Sequence, residues 1–226
     1  MRALVIDAAA SRMTIAAKNE EMRATLALDL GQRQSMTLLP AVDYVLSQTG
    51  LKPQELDYMA LTSGPGAFTG LRLAFSALKA IELAHNIPLY GILSTDAYAF
   101  PFRNFDGQVV SVIDAKKDQF YAAVYERGKT ICETEDTTAQ NVAGKLSREK
   151  KILLAGPDAE IFSGELKKID PSLNIVTYLS QPLPADALFE IAEETLAQKK
   201  EPLADYDGPV YLRKSEAEIK LENAGK

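Results

Sequence analysis

The residues of this 226-residue chain that could do chemistry gather around two aspartates and one glycine-rich loop. Asp7 ends the apolar run ALVID, and Asp114 ends the similar run VVSVID. Paired carboxylates at strand ends could hold Mg²⁺, because that cation prefers oxygen ligands. Each aspartate could instead cap its own following turn through its side chain. Neither run contains a neighbouring acid, so the sequence favours the capping interpretation.

The glycine-rich loop reads SGPGAFTGLR over residues 63–72, between a strand-like run and a long apolar run. Free N–H groups at a helix start could hold a phosphate there. The candidate residues of such a loop or turn site are Asp7, Gly64, Gly66, Thr69 and Gly70. However, the spacing matches neither phosphate-binding glycine motif, and Pro65 lacks an N–H. We therefore favour glycines that allow a tight turn and close packing of the following helix.

The composition argues against several other kinds of functional site. The net charge is −6 and the basic residues are scattered, which argues against unaided binding of nucleic acid. The chain has a single cysteine, Cys132, and a single histidine, His85. One cysteine cannot form an internal disulfide, and a Cys- or His-based metal site or a Cys–His nucleophile pair would lack its other residues. We therefore predict no metal and no cofactor. With no long apolar span and no signal-peptide layout, we expect a soluble, cytoplasmic protein that does not associate with membranes.

The order of predicted elements indicates an α/β fold with an internal duplication. Three strand-like segments open the chain, and a helix at 38–49 and strand–helix alternation follow them. The second half starts similarly, with strands near 108–115, 119–128 and 129–133, and it contains an amphipathic helix at 185–200. We predict two ribonuclease-H-like lobes with mixed sheets, residues 1–104 and 105–226. The last segment is expected to pack back on the first lobe.

The helix after the glycine loop is apolar on nearly all sides. One side can face its own sheet, whereas the other needs a cover. That cover could be the neighbouring helix at 38–49, or a partner protein that meets both helices. We predict the partner surface, formed by Leu38, Val42, Val45, Leu71, Ala74, Phe75, Ala77, Leu78 and Ile81. Without a partner, the same apolar patch predicts a two-fold homodimer.

Six sequence blocks resemble the TsaB (YeaZ) family and occur in the family's order over most of the chain. They are LVID, LLPAVDYVL, LTSGPGAFTGLR, KAIELAHNIPLYGILS, IDAKKDQFYAAVY and PVYLR. The resemblance implies an actin-like (ASKHA) fold of two ribonuclease-H-like lobes. It also implies a non-catalytic scaffold subunit of bacterial tRNA threonylcarbamoyladenosine biosynthesis. Such a subunit would form a heterodimer with the catalytic paralogue TsaD, recruit the ATPase TsaE, and meet tRNA only through the complex.

Three departures from the family pattern bear on metal or nucleotide binding. The first turn has Ala8-Ala9 where Thr-Ser is usual, the loop has Ala67 where Ser is usual, and Gln34 replaces a histidine. The lost hydroxyls argue against a phosphate held by this chain alone. A competing hypothesis is an ASKHA-type small-molecule kinase that uses Asp7 or Asp114 with Mg²⁺ and ATP. A peptidase of the M22 type ranks last, because no protease constellation can be assembled from these residues.

Overall fold

A computed structural model of the protein describes residues 1–20, 22–29, 33–176, 178 and 181–213. Within these residues the chain forms two five-stranded sheets with helices packed on them. The first sheet and its helices comprise β1 (Arg2–Asp7), β2 (Arg12–Asn19), β3 (Met22–Asp29), α1 (Gln34–Gln48), β4 (Tyr58–Gly64), α2 (Phe68–His85), β5 (Leu89–Leu93) and α3 (Ser94–Ala99). The remaining elements are β6 (Gln108–Lys116), β7 (Gln119–Glu126), β8 (Lys129–Thr137), α4 (Ala139–Ala143), β9 (Lys151–Ala155), α5 (Ala159–Ile169), β10 (Asn174–Val176) and α6 (Ala185–Ala197).

The two sheets share one topology. In the first, the order is β3-β2-β1-β4-β5, with β1 antiparallel to β2 and parallel to β4. In the second, the order is β8-β7-β6-β9-β10, with β6 antiparallel to β7 and parallel to β9. The chain is therefore a structural duplication, in which the similar runs ALVID and VVSVID form the corresponding central strands β1 and β6.

Both faces of the first sheet are covered, which explains why β1 is a continuous apolar run. Leu4 and Ile6 point to one face and pack with α1 and α2, while Ala3 and Val5 point to the other. On that second face lies α6, which belongs to the second half of the sequence and packs on the strands of the first. Among the described residues, no helix is long and apolar enough to cross a membrane.

Most residues of the predicted partner surface lie inside the protein. Leu71, Ala74 and Leu78 are fully buried, and Phe75 is 5% exposed. On α1, the side chains of Leu38, Val42 and Val45 are equally buried in the same core. A stripe at i, i+3, i+4 and i+7 faces the helix's own sheet, so these seven side chains do not lie at the surface of the described chain. Ala77 and Ile81 are partly buried against that core.

Helix α1 begins at Gln34, four residues earlier than the spacing of apolar residues predicts, and Pro40 lies inside it. The buried Gln34 side chain ties the first turn of the helix to the β1–β2 turn. Its Nε2 donates to the carbonyl oxygens of Ala10 and Ser11, each at 3.1 Å. A hydrogen-bonding side chain, rather than an apolar one, therefore fixes the start of the helix.

The chain after α6 crosses the first lobe as a C-terminal strap, defined here as residues 201–213. Its backbone N–H groups donate to the first lobe at two points, Leu203 to the Leu89 carbonyl at 2.8 Å and Val210 to the Ser63 carbonyl at 2.7 Å. Lys79 Nζ donates to the strap carbonyl of Ala204 at 2.7 Å. The strap therefore covers the β5 edge and the end of β4.

Candidate functional site

A cleft of about 710 Å³ lies between the two lobes. From the first lobe it is lined by the ends of β1 and β2, including Asp7 and Thr14, and by Tyr98 of α3. From the second lobe it is lined by the turn after β9, by one side of α5 and by the segment around Gln181. Side chains from distant parts of the sequence therefore meet in one cavity.

Asp7 is buried in this cleft and its carboxylate is already satisfied. Oδ1 accepts hydrogen bonds from the N–H of Ala9 at 3.1 Å and from Thr62 Oγ1 at 2.8 Å. Oδ2 accepts from the Tyr98 hydroxyl at 3.0 Å. Burial raises the pKa of Asp7 above its ordinary value, although these hydrogen bonds oppose the rise. A carboxyl held by neutral donors in this way is poorly placed to bind a cation.

Asp114 has different surroundings and does not line the cleft. Its carboxylate accepts from the N–H of Lys116 at 2.7 Å and from Lys116 Nζ at 2.5 Å. Burial acts to raise the pKa of Asp114, but the bonds from Lys116 outweigh it and lower the pKa. Among the described residues, no group of three or more His, Cys, Asp or Glu side chains could hold a metal ion. The geometry thus does not favour a Mg²⁺ site shared by Asp7 and Asp114.

The glycines of the loop allow close packing. A Cβ added to Gly70 would lie 2.1 Å from the carbonyl oxygen of Ala8, and one added to Gly66 would lie 2.4 Å from that of Ala9. The N–H of Ala67 donates to the same Ala9 carbonyl at 2.7 Å. The β1–β2 turn therefore fills the space where a phosphate would have to sit, and it presents carbonyl oxygens, which repel anions.

The other loop residues have separate surroundings. Gly64 adopts φ +117°, and a Cβ there would lie 2.4 Å from the carbonyl oxygen of Val210 in the C-terminal strap. Thr69 is exposed in the first turn of α2. His85 is exposed at the end of α2, in the first lobe, whereas Cys132 lies on β8 in the second. The structure thus separates the residues that would be needed for a His- or Cys-based mechanism.

Sequence reasoning missed Thr14, Tyr98 and Gln181, which line the cleft, and Thr62, whose hydroxyl donates to Asp7. One of them had a usable signal, because a hairpin that joins ALVID to RMTIAAK brings Asp7 opposite Thr14, as observed. The positions of Thr62, Tyr98 and Gln181 depend on contacts across 55 residues or more, or on the placement of a turn, and no local pattern reports them.

Known proteins match this chain over most of its length. A family model described as "TsaD: tRNA N6-adenosine threonylcarbamoyltransferase" matches residues 30–221. The TsaB protein of Bacillus subtilis is 28% identical over 84% of each chain, and that of Escherichia coli is 27% identical over 98% of each. Both are described as tRNA threonylcarbamoyladenosine biosynthesis proteins.

Solved structures share the fold at lower identity. YeaZ from Pseudomonas aeruginosa superposes with a TM-score of 0.77 at 22% identity, covering 93% of this chain and 99% of its own. A Bacteroides thetaiotaomicron protein with an actin-like ATPase fold has a TM-score of 0.50 at 11% identity, covering 84% and 95%. The duplicated lobes and these neighbours define an actin-like α/β protein, which confirms the predicted fold. The chain belongs to the family that the TsaD model describes, among its TsaB (YeaZ) members.

Proposed function

We propose that this protein is a non-catalytic scaffold or activator subunit in tRNA threonylcarbamoyladenosine biosynthesis and acts as a heterodimer with TsaD. Family membership supports the pathway, because the curated TsaB relatives carry that description. The chemistry of the cleft supports the non-catalytic role. Asp7 is saturated by neutral donors, and Asp114 is held by Lys116 away from the cleft.

The observation that carries the proposal is a set of four large apolar side chains that are exposed on α1 and α2, two helices that pack side by side on the first sheet. We call it the helical face and define it by Met36, Leu39, Tyr44 and Leu83, which are 80%, 59%, 54% and 76% exposed. Single exposed apolar residues are ordinary, but several large ones on two neighbouring helices are typical of an interaction surface.

The helical face lies on the same two helices as the surface predicted from the sequence, but different side chains would contact the partner. The buried stripe holds α1 and α2 on their sheet, while the helical face points away from the core. The same face serves for homodimer formation when TsaD is absent, since an isologous contact can use one patch on both chains. The ATPase TsaE joins after TsaD has bound.

The test is the double variant Leu39→Glu with Leu83→Glu, which places two carboxylates in the contact at exposed positions. We expect native circular dichroism, a lower mass in solution, and capture of TsaD weakened by about 30-fold or more, the loss of about 2 kcal/mol that marks a binding hot spot. The matched control is Ile161→Glu on α5, which is 56% exposed in the second lobe. This control should capture TsaD normally.

Two results would count against the proposal. A folded double variant that retains both its oligomeric state and TsaD capture would show that the partner surface lies elsewhere. Kinase turnover by the isolated chain that disappears in Asp7→Asn would contradict a non-catalytic role. TsaE is expected to be captured only in the presence of TsaD.

A further inference from the structure

Each of the two sheets has two edge strands, and β3 is the one whose edge the described residues leave open. The first sheet ends at β3 and β5, and the second ends at β8 and β10. An edge strand presents unpaired N–H and C=O groups, and most proteins block such edges. Here the strap donates to the carbonyl of Leu89 on β5, β10 is only three residues long, and the register of β8 against β7 shifts at two points. All three are common ways to block an edge.

In contrast, β3 is a long and regular strand. Its eight residues, Met22–Asp29, pair with β2 without a register shift, and among the described residues β2 is its only neighbour in the sheet. The middle of the strand, ATLAL, carries no charge and contains neither glycine nor proline. A regular, uncharged edge of this kind can accept one more strand through its backbone.

The charged residues of β3 lie near its ends and become complementary when the strand meets itself. In an antiparallel pair of two copies with Leu26 opposite Leu26, Arg23 of each copy lies opposite Asp29 of the other. Opposite charges that face each other across two strands stabilise the pair. Within one chain Arg23 pairs with Asp186 and Asp29 pairs with Arg12, yet the two side chains of β3 remain 40% and 64% exposed. A second copy would extend these pairs into one row of alternating charges across the contact.

The same register also matches the uncharged residues. Directly opposite residues of an antiparallel pair lie on the same face of the sheet. On the face that α1 covers, Leu26 meets Leu26 and Ala24 meets Leu28, and all three are partly buried against the core of their own chain. On the other face, Thr25 meets Ala27, and both are exposed. Any other register would separate the opposite charges at the two ends.

We propose that β3 pairs with β3 of a second copy of this chain, antiparallel and across a two-fold axis, with Leu26 opposite Leu26. The contact joins the first sheets of the two copies into one continuous sheet. It is isologous, because the same strand serves on both sides. It uses a surface separate from the helical face and does not depend on the proposed scaffold role.

The experiment measures the mass of the full chain by sedimentation equilibrium at concentrations up to about 1 mM, because a contact of this size is expected to be weak. The background is Leu39→Glu with Leu83→Glu, which blocks the helical face, so association through β3 is measured whether or not that face forms dimers. We expect a monomer–dimer equilibrium. Adding Thr25→Lys with Ala27→Lys places like charges opposite each other in the proposed register. These changes should weaken the dimer by about tenfold or more.

Two matched variants test the register and the effect of charge alone. Thr25→Lys with Ala27→Glu places opposite charges in the same positions and should restore the dimer. Thr130→Lys with Ile131→Lys adds the same charge at exposed positions of β8 and should leave the dimer unchanged. Circular dichroism checks that each variant is folded.

A cross-link provides a second measurement if the lysine variant does not fold. Thr25→Cys with Ala27→Cys, combined with Cys132→Ser, should form a covalent dimer on mild oxidation, because directly opposite Cβ atoms lie about 5 Å apart. The proposal is overturned if the blocked background is monomeric at the highest concentration. It is also overturned if the lysine variants on β3 and β8 behave alike, if the exchange of charge does not restore the dimer, or if no cross-link forms.

Discussion

Arg213 holds Asp136 through two parallel hydrogen bonds, from Nε to Oδ2 and from the second guanidinium nitrogen to Oδ1, each at 2.8 Å. A third bond joins Arg213 to the carbonyl of Ala115 at 2.9 Å. Both partners belong to the second lobe, whereas the strap that carries Arg213 lies on the first. This side chain therefore fastens one lobe to the other.

Arg213→Lys should destabilise the protein by about 1–3 kcal/mol, because lysine keeps the charge but cannot form the forked contact. The control is Arg127→Lys. Arg127 meets Asp106 at 3.4 Å with both side chains largely exposed, and an exposed pair contributes about 0–1 kcal/mol. Urea unfolding monitored by circular dichroism measures both variants. Equal losses would show that the link to Asp136 adds nothing beyond a surface ion pair.

Gly70→Ala should cost about 1–3 kcal/mol of folding free energy, because the new Cβ would overlap the carbonyl of Ala8 and force the turn away. Gly164→Ala makes the same chemical change in the interior of α5, where no atom lies within 4 Å of the added Cβ. That variant should be stabilised by up to about 1 kcal/mol through helix propensity. Thermal unfolding distinguishes them, and an unharmed Gly70→Ala would refute the close-packing role of this glycine.

Asp7→Asn should change stability in a pH-dependent way. Burial raises the pKa of Asp7 above its ordinary value of 3.8, so the folded protein binds this proton more tightly than the unfolded chain. The unaltered protein therefore loses folding stability relative to the Asn variant as pH rises from about 4 through the raised pKa. Asn can still accept from Ala9 and Thr62.

Urea unfolding of both proteins at a series of pH values measures this difference. The Asn variant should become more stable relative to the unaltered protein as the pH rises towards neutrality. The control for the loss of one negative charge is Asp205→Asn, at an exposed position in the strap. A difference between the native protein and Asp7→Asn that stays constant, or that favours Asp at higher pH, would contradict the raised pKa.

The isolated protein should bind tRNA weakly. Its net charge is −6, and contacts to phosphates supply most of the non-specific affinity for nucleic acids. A gel-shift titration at physiological salt measures this, with the TsaD complex as the positive comparison. Tight binding by this chain alone would be incompatible with the prediction.

Much of the architecture could be predicted because the local patterns are strong. ALVID and VVSVID are buried strands. The glycine loop lies between a strand and a helix, as its cluster of glycine and proline residues predicts. The short α4 was missed, although Thr138 is a recognisable N-cap whose side chain accepts from the N–H of Asn141 at 3.2 Å. The three-residue β10 carries too few residues for a periodicity.

The side chains of a partner surface could not be chosen from the sequence. On α2, the regular stripe through Ala74, Phe75 and Leu78 is the most conspicuous apolar pattern, and for that reason it faces the sheet. Leu83 lies off the stripe and appears exposed only once the helix is docked. Similarly, Thr14 and Gln181 are separated by most of the chain, so only the fold shows that they share a cleft.

The packing of α6 on the first sheet has a consequence for synthesis on the ribosome. Phe189 and Leu188 cover the face of that sheet formed by Val5 and Ala60, yet Leu188 follows the end of α3 at Ala99 by 89 residues of chain. A nascent chain that has released only the first lobe therefore exposes an apolar sheet face to the cell. Exposed surface of this kind promotes aggregation. Ribosome-bound chains from which only the first 104 residues have emerged should accordingly be captured by chaperones, and chains from which α6 has also emerged should be released.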